Sequence, residues 1–184
     1  MKDGSIKPIY LTDYLAPNFL IDSTELSFKL ENEYTSVGAK ITVRKNPASP
    51  SENSQPDLVL DGGRDLELVT VKLNGSQLGN HCYSREGETL TIFAMPDKAV
   101  VETLVHIKPH KNTSLNGLYK SRGMYCTQCE AQGFREITFY LDRPDILSEF
   151  TTHVIADREE FPVLLSNGNK VSHRLLDAGR HQVT

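Results

Sequence analysis

The sequence predicts an all-β fold, a sandwich or saddle-shaped pair of antiparallel or mixed sheets with little helix. Three observations carry this. Apolar and polar residues alternate with a period of two through most of the chain, sending successive side chains to opposite faces of a strand. Turn-forming pairs recur between the alternating runs. Helical periodicity is weak throughout, and many short strands punctuated by turns are the pattern of packed sheets.

In chain order, Leu26, Phe28 and Leu30 alternate with Ser27, Lys29 and Glu31, and Ala39, Ile41 and Val43 alternate with Lys40, Thr42 and Arg44. Each run reads as a half-buried antiparallel strand. Asn46 to Pro56, with Pro47, Pro50 and Pro56 among serines, reads as a surface loop between strands. Further strands are expected at Asp57 to Leu60, Leu66 to Leu73, Leu90 to Ala94, Thr103 to Ile107, Phe150 to Ala156, Phe161 to Leu165 and Lys170 to Leu175. Turns fall at Asp61-Gly62-Gly63, Asn74-Gly75, Glu86-Gly87, Asn167-Gly168 and Ala178-Gly179. The best helical candidate, Glu130 to Tyr140, is stopped by the turn-like Asp142 and by Pro144. Arg180 to Thr184 starts another strand and ends without a polar tail, so a fragment of a longer protein is expected.

The chain has 184 residues, which suits a single domain over residues 1–184 that buries enough surface to need no disulfide or metal staple. With 20 Lys and Arg against 24 Asp and Glu, it has no basic surplus to release counterions from a nucleic acid. No apolar run approaches the roughly 20 residues of a membrane span, so no membrane partner is expected. The N-terminus, Met1-Lys2-Asp3-Gly4-Ser5 followed by Pro8, lacks the apolar stretch of a secretory signal. Three cysteines, an odd number, fit reduced thiols, and the expected location is the cytoplasm. The sequons at Asn74 and Asn112 then carry little meaning.

Cys126-Thr127-Gln128-Cys129 has C-x-x-C spacing, but no βαβ pattern surrounds it and a zinc site lacks a second ligand pair beyond His81 and Cys82. Free thiols are the expectation, since on an extended segment the two cysteines face opposite ways. His106 and His110 have H-x-x-x-H spacing, yet Pro109 excludes a helix interior and Ile107 stands where a general-base Glu would follow. No catalytic constellation and no metal set is predicted within the chain. Gln128 and Glu130, two apart, would share one face of an extended segment with Cys129 on the other. An amide oxygen and a carboxylate converging there suit a primary ammonium.

The segment Cys126 to Arg135, with Tyr140-Leu141-Asp142-Arg143-Pro144-Asp145, resembles the N-terminal domain of the bacterial aminopeptidase N family, zinc metallopeptidases of the gluzincin class. The resemblance continues over Asn112 to Tyr119, Ser148 to Ala156 and Phe161 to Asn169, and is looser over the first hundred residues. It implies a β-saddle packed on a thermolysin-like catalytic domain that carries H-E-x-x-H and a distant Glu as zinc ligands. Those elements lie outside this chain, so the chain alone is expected to hold no zinc and hydrolyse nothing. The family's T-Q-x-E maps onto Thr127, Gln128, Cys129 and Glu130. The resemblance implies that Gln128 helps bind the first substrate residue and that Glu130 anchors its α-ammonium. A carboxylate about 4 Å from an ammonium is worth roughly 4 kcal/mol at an effective dielectric near 20. Asp142-Arg143-Pro144 departs from the wider family's Asp-Glu-Pro and matches the bacterial subgroup. The implied partners are the catalytic domain and the peptide N-terminus. A stand-alone β-sandwich binding module is the alternative reading, and sequence beyond Thr184 separates the two.

Overall fold

The structure, a computed structural model, describes residues 10–51, 53 and 55–184. The N-terminal reading from Met1 to Pro8 and two positions of the proline-rich loop lie outside the described residues. Thirteen strands follow in order: β1 (Phe19–Leu30), β2 (Thr35–Lys45), β3 (Leu58–Asp61), β4 (Glu67–Leu73), β5 (Ser76–Gln77), β6 (Tyr83–Glu86), β7 (Thr89–Ile92), β8 (Lys98–Ile107), β9 (Gly117–Ser121), β10 (Met124–Gln128), β11 (Glu149–Asp157), β12 (His173–Leu175) and β13 (Arg180–Val183). Among the described residues the helical elements are three short 3-10 segments, Leu11–Asp13, Pro109–Lys111 and Phe134–Glu136. The fold is all-β, as the alternation predicts.

An eight-stranded sheet has the order β12-β13-β11-β1-β2-β8-β4-β5. It is mixed, because β1 and β11 pair in parallel while the remaining neighbours are antiparallel. Period-two alternation decides which face is buried. Val37, Ala39, Ile41 and Val43 of β2 and Ala99, Val101, Val105 and Ile107 of β8 point inward, with Val37 opposite Val105 and Ile41 opposite Val101. Each valine or isoleucine among them contributes about 1.5–3 kcal/mol on burial. The second layer is a three-stranded sheet, β3-β7-β6, whose Leu58, Leu60, Leu90 and Ile92 join the same core.

β1 is longer than its alternation suggests, because the register slips between Ile21 and Ser23. Phe19 and Ile21 are buried before the slip, and Thr24, Leu26, Phe28 and Leu30 after it. The bulge moves the inward face from odd to even positions, so both halves bury their apolar residues. Asn74 and Gly75 take φ of 50° and 81°, the left-handed geometry of the tight turn joining β4 to β5.

Two expected elements are corrected. Glu130 to Tyr140 is not a helix. It is a turn, a short 3-10 segment and an irregular run, Ile137 to Leu141, in which every residue is buried. Burial on all sides leaves no solvent face for a helix, and Tyr140 instead bridges to Asp61 of β3. Phe161 to Leu165 is not a strand. Pro162 has no N–H for a ladder, and only Leu164 of the run is buried, with Val163 and Leu165 at 70% and 83% exposure.

Candidate functional site

The segment carrying Gln128 and Glu130 starts in a hairpin. β9 and β10 pair antiparallel from Ser121–Met124 to Gly117–Gln128, joined by Arg122 and Gly123, whose φ of 49° and 87° make the tight turn. Tyr125 fastens the hairpin to the body. Its hydroxyl donates to the Glu31 carbonyl at 3.3 Å, and its ring meets Phe161 edge-on at 5.3 Å, with the Lys120 ammonium over both rings.

β10 ends at Gln128, and the chain turns at once. The Gly133 N–H donates to the Cys129 carbonyl at 2.8 Å, closing a loop around Glu130. The Glu130–Ala131 peptide is cis. Gly133 is buried, and a Cβ there would lie 2.8 Å from the Cys129 Cα, with the Gln128 carbonyl and the Asn116 side chain closer still. Only glycine lets the backbone approach this closely. Asn112 secures the neighbouring wall by donating to the Asn116 and Leu118 carbonyls at 2.8 and 2.9 Å. Its amide nitrogen is thus occupied, and Asn74 likewise accepts from the Val100 N–H at 2.8 Å.

Gln128 and Glu130 are exposed, while Cys129 between them packs against the core. The Gln128 amide reaches the Glu130 carbonyl at 3.4 Å. Among the described residues the Glu130 carboxylate has no ion-pair or hydrogen-bond partner. A solvent-facing carboxylate with an adjacent amide can accept hydrogen bonds from a cation. Burial, reinforced by Asp142, pushes the Cys129 thiol up, away from the thiolate form that makes a cysteine reactive.

Sequence reading missed what holds the turn in place. The Phe134–Glu136 segment follows Gly133, and Arg135 in it donates to the Asp142 carboxylate from its backbone N–H at 3.2 Å and from Nε at 2.8 Å. Its Nη2 donates to the Asp142 carbonyl at 2.9 Å, and its Nη1 lies 3.4 Å from Asp61. In the sequence it leaves only an arginine seven residues before an aspartate, a spacing with no periodic meaning. Next to it, burial and then the nearby Asp65 and Glu88 carboxylates raise the Glu136 carboxyl above its ordinary range.

Of the remaining candidates, all but Cys129 lie outside this turn. Cys82, Cys126 and Cys129 are free thiols. His106 sits in β8 with its ring 4.3 Å from Tyr34, whereas His110 lies in the 3-10 segment Pro109–Lys111. No described helix is long and apolar enough to cross a membrane.

The Peptidase M1 N-terminal domain family matches residues 21–184. The chain is 43% identical over 181 residues to an aminopeptidase N of Caulobacter vibrioides, covering 98% of this chain and 20% of that protein. It is 42% identical over 174 residues to an aminopeptidase N of Escherichia coli, covering 95% and 19%. A crystal structure of Legionella pneumophila aminopeptidase A in complex with aspartic acid superposes with a TM-score of 0.86 at 31% identity, over 94% of this chain and 20% of that one. An M1 zinc metallopeptidase of Deinococcus radiodurans, at 13% identity and a TM-score of 0.72 over 92% of this chain and 39% of that one, shares the fold. The chain thus spans about a fifth of the length of the curated relatives it matches.

Proposed function

Because the chain belongs to the Peptidase M1 N-terminal domain family, we propose that it is the single N-terminal β domain of a longer, cytoplasmic zinc aminopeptidase, in which Gln128 and Glu130 bind the free α-ammonium of a peptide. The carrying observation is the Glu130 carboxylate, exposed, unpaired among the described residues and held beside Gln128 by a tightly closed turn. An ammonium placed there donates a charge-assisted hydrogen bond to the carboxylate and finds a second acceptor in the Gln128 amide oxygen. An internal peptide bond offers no ammonium, so the anchor favours removal of the first residue over cleavage within the chain. Glu130 acts by holding the substrate and transfers no proton.

The described residues gather no group of three or more His, Cys, Asp or Glu able to hold a metal ion. The described residues therefore do not fit zinc, and the anchor's role involves no step through a metal. Zinc and the hydrolytic residues belong to the catalytic domain of the longer protein, which is also this domain's partner, and the chain alone is inactive.

The test is kinetic, in the full-length enzyme. Glu130→Ala is expected to lower kcat/KM for an aminoacyl-p-nitroanilide by about 2–4 kcal/mol in transition-state terms. Unchanged efficiency would remove the role of Glu130.

A further inference from the structure

Resting on the reading of Glu130 as the ammonium anchor, we propose that Arg135 and Asp142 are positioning residues for that anchor, holding the Cys129–Glu136 turn at a fixed place on the body. The half-buried Arg135 is bound at every polar group. Its N–H and Nε donate to the Asp142 carboxylate, its Nη2 donates to the Asp142 carbonyl and its Nη1 faces Asp61 at 3.4 Å. Its own carbonyl accepts the Gly63 N–H at 2.7 Å. Asp142 is fixed in turn, because its N–H donates to the Asp61 carboxylate at 3.2 Å.

These contacts tie the turn to the end of β3. Asp61 ends β3 and exchanges backbone hydrogen bonds with Tyr140 at 2.8 and 2.9 Å, so it belongs to the core framework. Arg135 belongs to the turn, two residues after Gly133, whose N–H closes the loop around Glu130. Glu136 continues the same path, its N–H donating to the Gly133 carbonyl at 3.1 Å. The path from β3 to Glu130 therefore runs through Asp61, Asp142, Arg135 and Gly133. Asp142 and Arg135 are 12% and 21% exposed, which shields the pair from the screening that makes surface ion pairs weak. A planar guanidinium held by carboxylates on two sides fixes orientation as well as distance, which a lysine ammonium does not.

A positioning role differs from a general structural one in being coupled to Glu130. The experiment is a double-mutant cycle in the full-length enzyme, with KM and kcat measured on an aminoacyl-p-nitroanilide for Asp142→Asn, Glu130→Gln and the double variant. Asp142→Asn is expected to raise KM about tenfold with kcat changed by less than about twofold, an effect of the size that supporting contacts exert on a site they orient. In the Glu130→Gln background the same substitution is expected to change KM by less than about twofold. An equal fold-change in both backgrounds, or no change in either, overturns the proposal. If Glu130→Gln alone leaves KM and kcat unchanged, the anchor reading itself falls and this proposal with it. A damaging Glu130→Gln beside a neutral Asp142→Asn overturns the positioning role alone. Should Asp142→Asn not fold, Arg135→Lys runs the same cycle with the same deciding outcomes, because it keeps the charge and loses the fork.

Discussion

The inner face of the eight-stranded sheet and the Asn112–Arg143 region solve different problems with different chemistry. On the sheet, position follows from packing: β1, β2 and β8 each span ten or more residues and bury alternate side chains against one core. In the other region the strands are five residues long, Leu118 is the only buried large side chain of the hairpin, and Gln128 and Glu130 face solvent. Position there comes from close backbone approach at Gly133 and from the polar ties of Arg135, Asp142 and Asn112. A scaffold assembled by area burial tolerates a displaced atom by repacking, whereas a turn held by a few directional contacts needs them in register.

The largest effect should come from the sheet. Ile41, 2% exposed in β2 between β1 and β8, leaves a cavity when shortened, so Ile41→Ala should cost about 3–4 kcal/mol in urea unfolding. The turn is held by other contacts, so KM of the full-length variant should stay within about twofold under folding conditions. A KM rise matching the stability loss would erase the distinction between the two regions.

Gly133→Ala should reverse this pattern. The added methyl meets the Gln128 and Cys129 backbone, which cannot swing aside like a side chain end. Overpacking of this kind costs about 1–3 kcal/mol, less than the Ile41 cavity. Its effect on KM should nonetheless exceed that of Ile41→Ala, since the atoms that must move carry Gln128 and flank Glu130. An Ile41→Ala enzyme with the higher KM would show that the turn follows the core rather than its own contacts.

What was legible in the sequence divides along the same line. Ala39 to Val43 and Thr103 to Ile107 announce themselves by alternation, because burial on one face leaves a mark at every second residue. Phe19 and Ile21 escaped because the bulge beside Asp22 breaks the period, and an extra residue cannot be seen before the partner strand is known. β9 and β10 escaped because their turn uses Arg122 in a left-handed conformation that sequence rules assign to Asn or Asp. Gln128 and Glu130 stood out through the family resemblance rather than through periodicity. The Arg135–Asp142 tie was illegible, since it depends on a turn returning the chain between them, and the same stretch suggested a helix that burial forbids.

The smallest prediction concerns charge within the site region, where two carboxylates have opposite linkage to folding. Hydrogen bonds from Arg143 hold the Asp145 carboxyl low, so its contribution is present above the ordinary aspartate range and lost as pH falls through its depressed value. Glu136 has the reverse sign. Its side chain is pressed against Gly63, and burial together with Asp65 and Glu88 raises its pKa, so the folded state holds this proton more tightly than the unfolded chain. Stability is therefore lost as pH rises from about 4.3, the ordinary glutamate value, through the raised one. Glu136→Gln keeps the shape and removes the titration. The variant should unfold at a higher urea concentration than the parent chain at pH 7, with the gap closing below about pH 3, where both states hold the proton. A gap independent of pH would assign the change to amide packing against Gly63 instead of charge. A closing gap would show that the turn beside Glu130 carries an unrelieved negative charge, a cost that the apolar sheet face does not bear.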